Sequence, residues 1–261
     1  MKPQVKNAIS TLPARFINFS FLTLLLLAVS CLNTFAGDYA TRNIIGFSND
    51  GNLFALEEYG IQDGSGFAYA NIYLINTQND SWTGGSPWRA FIEEDSINAK
   101  ASIAKARNQA RQLAANKLGA ITQTGFIAAT NRHTEIAEKP LSFKAHPRHF
   151  VPSSDQTIEF ELEIKDVHQA NAPTNHCSGI TNIKGFNLYQ IIDNQKVALH
   201  IDGPKIPKSR NCPLNYKFAD IITYYPANDT PKFAVLLLIE SFGFEGPDGR
   251  YLAITAPIQP Q

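Results

Sequence analysis

Between Phe47 and Asn76 the chain reads FSNDGNLFALEEYGIQDGSGFAYANIYLIN. Two Asp-Gly pairs, Asp50-Gly51 and Asp63-Gly64, separate apolar runs at the spacing of antiparallel strands. Asp-Gly between such runs is a strong hairpin signal, because glycine adopts the positive φ that tight turns need. In LFALEEYG, strand alternation sends Leu53, Ala55 and Glu57 to one side and Phe54, Leu56 and Glu58 to the other. In FAYANIYLIN, Phe67, Tyr69, Tyr73 and Ile75 share one face; Ala68, Ala70, Ile72 and Leu74 share the other. Both faces are apolar, so this strand is expected to be covered on both sides.

The same grammar returns after residue 157. TIEFELEIKDV alternates Ile158, Phe160, Leu162 and Ile164 inward with Glu159, Glu161, Glu163 and Lys165 outward, the pattern of a half-exposed antiparallel strand. GFNLYQIID and KVALHID are joined at Asn194-Gln195, and YKFADIITYY, KFAVLLLIES and RYLAITAPI follow. AVLLLIE is apolar on both faces and predicts a central strand.

One helix interrupts the strands. Residues 96–118 are rich in Ala, Lys, Arg and Gln, all strong helix formers. Asp95 or Ser96 can cap its start, and Gly119 follows its last turn. Ile97, Ala101, Ala104, Ala110, Leu113, Ala114 and Leu118 approximate an apolar stripe; Lys100, Lys105, Arg107, Arg111 and Lys117 read as a solvated basic face. From Gly119 to about Asp155 the chain reads as irregular, with Pro140, Pro147 and Pro152. His133, His146 and His149 lie there, and surface histidines explain them better than a metal set. The fold class is α+β and β-rich: a mainly antiparallel sheet system with one principal helix at about 96–118, in one domain over 37–261. A partial or complete β-propeller is the alternative.

The first residues give an address. Lys2, Lys6 and Arg15 precede the apolar run FLTLLLLAVS, Phe21 to Ser30. A bilayer span needs about 20 apolar residues, so this run is short for an anchor and fits a signal peptide, 1–36, cut after Ala36. A lipobox-like LAVSC offers a rival, lipidation at Cys31. The expected location is periplasmic or secreted, with no membrane span in the mature chain. Removing the three leader cations from 23 basic and 23 acidic residues leaves three net negative charges and no basic block, which speaks against nucleic-acid partners. Cys177 and Cys212 then read first as one disulfide. A reactive thiol, or a zinc site with His176 and His200, is the other reading, without the usual spacing.

An echo links the ends of the chain. GFSNDGNLFAL (Gly46 to Leu56) resembles GFEGPDGRYLAI (Gly243 to Ile254), and the first copy, with IYLIN after it, is similar to a single blade repeat of TolB-type propellers. A propeller needs several such units at a regular period. The two terminal hairpins could instead lie side by side, with Leu53 near Leu252. The chain also resembles a bacterial family of predicted secreted proteins known as domain of unknown function 2259. The matching stretches are the Gly46–Asn76 segment, ARNQAR in the helix, SRNCP (Ser209 to Pro213) and GFEGPDGRYLA. The resemblance implies export and a single domain; it implies no reaction, cofactor or substrate.

The chemistry-bearing residues are few. Glu57, Glu58 and Asp63, with Asp50 nearby, are candidates for calcium or acid–base work. Calcium takes six or more oxygens, and QDGSG offers too few. Adjacent strand residues also face opposite sides, so exposed or salt-bridged carboxylates are the plainer reading. There is no Gly-x-Ser-x-Gly, His-Glu-x-x-His or phosphate loop, so no catalytic residue, metal ligand or cofactor is assigned. Tyr59, Phe67, Tyr69, Tyr73, Trp82 and Trp88 are aromatics suited to a glycan or peptide groove, although core packing is their usual fate. The sequence therefore points to a binding or structural module of the cell envelope, with an envelope glycan or protein as partner. Glu58, Tyr59 and Asp63 are its candidate ligand-binding residues. The rival reading is a periplasmic hydrolase using carboxylates around Glu57 and Asp63.

Overall fold

The computed structural model describes residues 37–94, 98–132, 141–148, 157–167, 177 and 179–259. All of them fall within one compact unit, Ala36–Gln261. The leader with Cys31, the helix-start residues Asp95 and Ser96, and His133, His149 and His176 lie outside the described residues.

Among the described residues, three antiparallel sheets and one α-helix make up the unit. The first sheet contains β1 (Thr41–Ser48), β2 (Leu53–Ile61), β3 (Ala68–Asn76), β4 (Ser81–Trp82), β5 (Trp88–Ile92) and β6 (Ile121–Gln123). Its order is β4-β3-β2-β1-β6, with β5 also on β3. The second sheet is ordered β11-β10-β9-β8, from β8 (Ser142–Ala145), β9 (Ile158–Asp166), β10 (Lys184–Ile192) and β11 (Gln195–Ile201). The third is ordered β14-β13-β12-β7, from β7 (Phe126–Thr130), β12 (Pro213–Tyr224), β13 (Lys232–Phe242) and β14 (Pro247–Pro257). No closed barrel or propeller is formed among the described residues.

The third sheet is the middle layer. Ala234, Leu236 and Leu238 on β13 pack with Phe54, Leu56, Tyr69 and Ile75 of the first sheet. Phe233, Val235, Leu237 and Ile239 pack the other way, on Phe160, Leu162, Phe186 and Leu188 of the second. AVLLLIE is apolar on both faces because each face of β13 meets a different sheet. Each such side chain contributes roughly 1.5–3 kcal/mol on burial. The outward glutamates of β9 stay at the surface, as alternation requires.

Helix α1 (Ala99–Leu118) covers the outer face of the first sheet. Asn98 caps it, its Oδ1 accepting from the Ala101 N–H at 3.2 Å. The buried face is Ser102, Ala106, Ala110 and Ala114; Ala110 and Ala114 belong to the predicted stripe, whereas Leu113 is 55% exposed. Small side chains win that face because they let the helix backbone approach Ala68, Ala70, Ile72 and Ala90 closely. The stretch after Gly119, expected to be irregular, contributes β6, β7 and β8.

Two turns differ from expectation. The β10–β11 hairpin turns on Asp193 and Asn194, at φ 49° and 62°, one residue earlier than predicted. Both positive values match the twist of the flanking strands. The Asp50-Gly51 pair turns between β1 and β2, whereas Asp248 and Gly249 lie inside β14, after a turn at 243–246. The echo is thus a likeness of sequence and not of structure. The two segments lie in different, stacked sheets. Leu252 faces the second sheet, so Tyr251 and Ala253 are the residues that meet Phe54 and Leu56. Gly46 marks a bulge in β1; at φ 126°, a Cβ there would lie 2.0 Å from the Gln123 carbonyl oxygen, so only glycine fits.

Two long-range ties complete the unit. Cys177 and Cys212 are disulfide-bonded and buried, 35 positions apart in sequence. Closing a loop of that size stabilises the fold by about 4 kcal/mol in the chain-entropy view. Ahead of β1, Tyr39 forms a parallel bridge to Gly249, with Ala40 N–H donating to the Gly249 carbonyl at 3.0 Å and Gly249 N–H to that of Asp38 at 2.8 Å.

Candidate functional site

Strand alternation sends Glu57 and Glu58 to opposite faces of β2, and both are buried. Glu57 faces α1. Arg107 donates to it from Nε and Nη2 at 3.0 and 2.9 Å, and Arg111 from the same pair of atoms at 3.2 and 2.6 Å. Asn43 Nδ2 adds a bond at 3.0 Å. Four residues apart, the two arginines project from one side of the helix and close a double fork on one carboxylate. Burial alone would raise the Glu57 pKa, but the two guanidinium groups outweigh it and hold it at about 2. Arg107 also lies over the Tyr59 ring, 4.0 Å from its centroid. These arginines, expected to be solvated, are thus the clamp between helix and sheet.

Glu58 faces the space between the first and third sheets. Its Oε1 accepts from Asn71 Nδ2 at 3.0 Å and from the Tyr73 hydroxyl at 2.7 Å; its Oε2 accepts the Tyr251 N–H at 2.9 Å. All three donors are neutral. Burial, and then the Glu58 charge, push the Tyr73 hydroxyl well above its ordinary pKa.

A polar cleft of about 270 Å³ opens beside Glu58. The first sheet supplies Asn71, Tyr73, Trp82 and Arg89, with Gln62 at the end of β2. The third sheet supplies Ile239, Ser241, Asp248 and Arg250, and the segment Ser209–Asn211 closes one side. Arg250 donates to Asp38 Oδ2 at 2.5 Å and stacks over Tyr69, whose hydroxyl also reaches Asp38. Arg210 donates to both Asp202 oxygens at 2.8 and 2.6 Å and lies over Phe186. Burial would raise the Asp202 pKa, yet its bonds to His200 and Arg210 hold it at about 2. Arg89 has no hydrogen-bond or ion-pair partner among the described residues, and Trp82 is 43% exposed against Tyr73, ring centroids 5.7 Å apart.

The predicted residues separate. Glu58 lines the cleft. Tyr59 lies on the opposite face, under Arg107. Asp63 sits in the β2–β3 turn and accepts the Glu245 N–H at 2.8 Å, tying that turn to the one before β14. Glu57 and Asp63 do not meet. Among the described residues, no three His, Cys, Asp or Glu side chains gather to hold a metal. Arg89, Arg210, Asp248 and Arg250 escaped the sequence reading. Their only signal was membership, for three of them, in SRNCP and GFEGPDGRYLA. A larger hollow of about 650 Å³ near Tyr225, Asn228 and Ile258 is lined by none of the candidate residues.

The stretches that carry the family resemblance meet at this cleft. Glu58, Gln62, Asn71 and Tyr73 come from the first. Ser209, Arg210 and Asn211 come from SRNCP, and Asp248, Arg250 and Tyr251 from GFEGPDGRYLA. ARNQAR, the fourth, supplies the clamp on Glu57 directly behind. Among the described residues no helix is long and apolar enough to cross a membrane. No curated protein and no solved structure matches the chain. A family described as "Predicted secreted protein (DUF2259)" matches residues 55–256, and the chain belongs to that family.

Proposed function

We propose that the protein is a binding module of the bacterial cell envelope, released into the periplasm after cleavage behind Ala36, whose ligand occupies the cleft beside Glu58. The observation that carries this reading is the convergence of three distant stretches on one polar hollow, with a fourth bracing it. Well-formed clefts with a few convergent polar groups are the usual ligand sites. Glu58 is positioned as part of the wall, since its oxygens are bonded to three neutral donors. A hydrolase built on Glu57 and Asp63 has less support, because one is locked by two arginines and the other lies in a turn.

The test is a thermal-shift screen of the mature protein against calcium, zinc, glycans and peptides, repeated on Trp82→Ala. A hit that raises Tm in the wild type and loses at least half its shift in Trp82→Ala supports the cleft. A flat screen, or a hit indifferent to Trp82, overturns it.

A further inference from the structure

We propose that the cleft takes an acidic saccharide, with Arg89 binding the carboxylate and Trp82 the face of the sugar ring; this rests on the cleft being the binding site. Most of the charge there is already committed. Glu58 receives three hydrogen bonds, Arg250 is engaged by Asp38, and Arg210 by Asp202. Asp248 accepts the Asp38 N–H at 3.3 Å. What remains in the cleft without a hydrogen-bond or ion-pair partner among the described residues is one guanidinium, Arg89, beside one half-exposed indole, Trp82.

The sheet register places these two around a common centre. Arg89 pairs with Asn71 and Trp82 with Ile75, so Tyr73, midway between them on β3, is the floor of a site both can reach. A guanidinium presents a planar fork that matches a carboxylate, and an indole offers a flat, amphipathic surface for the C–H face of a pyranose. The charge count selects a monoanion. Glu58 and Asp248 repel any anion there, a phosphate dianion about twice as strongly as a carboxylate, so one guanidinium unpaired among the described residues suits a carboxylate. The volume of about 270 Å³ admits one ring with the rest of a chain outside, rather than a buried peptide. Gln62 and Ser209 at the rim are neutral partners suited to sugar hydroxyls.

The experiment titrates the mature protein with tetragalacturonate, with its carboxyl-reduced neutral form and with tetraglutamate, following binding by isothermal titration calorimetry. The wild type should bind the acid sugar about 10-fold tighter than the neutral one, the scale of one charged hydrogen-bonded contact. Arg89→Ala should abolish that preference and Arg89→Lys restore part of it, with Tm nearly unchanged because Arg89 makes no hydrogen bond or ion pair among the described residues. Trp82→Ala should weaken both sugars together by about 5-fold. Equal binding of the two sugars, or a preference that survives Arg89→Ala, overturns the acidic class while leaving the cleft intact as a site. Tetraglutamate binding as tightly as tetragalacturonate overturns the saccharide. No binding of any probe overturns the inference, and the broader ligand screen still decides the cleft.

Discussion

The two faces of β2 solve one problem in two ways. Glu57 and Glu58 are neighbours, both buried, yet one meets full positive charges and the other only neutral donors. On the helix side, two arginines with part of their surface in water close around Glu57, and the charge is cancelled where it stands. On the inner side, Asn71, Tyr73 and a backbone N–H hold Glu58 in place, and Arg250 feels its charge without a bond to it. A neutralised carboxylate makes a fastener. A carboxylate fixed by dipoles leaves its field in the adjoining cleft, so that face is the one where charge can select what enters.

Three measurements can break or sharpen this contrast. The largest effect belongs to the helix side. Replacing Arg107 and Arg111 together by alanine strands a buried carboxylate and should cost about 3–5 kcal/mol in urea unfolding. A loss under about 1 kcal/mol would mean that the clamp is ornamental. Next comes Glu58→Gln, whose amide must turn an N–H toward the Tyr251 N–H or toward Asn71 and Tyr73. About 2–3 kcal/mol should be lost, with α1 still docked by circular dichroism. An unchanged urea midpoint would show that a neutral group serves there equally well.

The smallest effect is in acid. The Glu57 pKa falls from 4.5 to about 2 on folding, so its stabilisation is complete above about pH 4.5 and disappears as the pH drops toward 2. After allowance for solvent around the arginines, that amounts to about 2 kcal/mol. Asp202, at about 2 in the folded chain, acts with the same sign from 3.8 downward. Unfolding free energies measured from pH 6 to 2 should therefore fall less steeply in Glu57→Gln than in the wild type. Parallel curves would place the acid sensitivity elsewhere.

Much of this was legible from residue order. Alternation alone put Glu57 and Glu58 on opposite faces, gave β13 two apolar sides and sorted the faces of β3. What alternation cannot supply is the identity of the facing element. The basic side of α1 read as solvated because its partner, Glu57, lies 50 residues earlier in the chain. The buried stripe of α1 was read correctly at Ala110 and Ala114 but missed Ser102 and Ala106, because closeness of approach, not hydrophobicity, selected them. Asp248-Gly249 imitated the Asp50-Gly51 turn, yet the preceding Gly243 and Gly246 had already turned the chain. The cleft itself draws on three segments that only the stacking of two sheets brings together, so its arginines carried no local pattern.

The bond from Asp38 N–H to Asp248 joins residues 210 positions apart. During synthesis at roughly 5–20 residues per second, the first residues of the fold wait on the order of 10–40 s before their partners exist. Until then the leading segment has no strand to join and the cleft lacks the wall that β14 provides. The cleft is therefore completed only once the last strand has arrived. A chain that must cross a membrane before it folds gains time from that delay, since the native state cannot close around an unfinished copy.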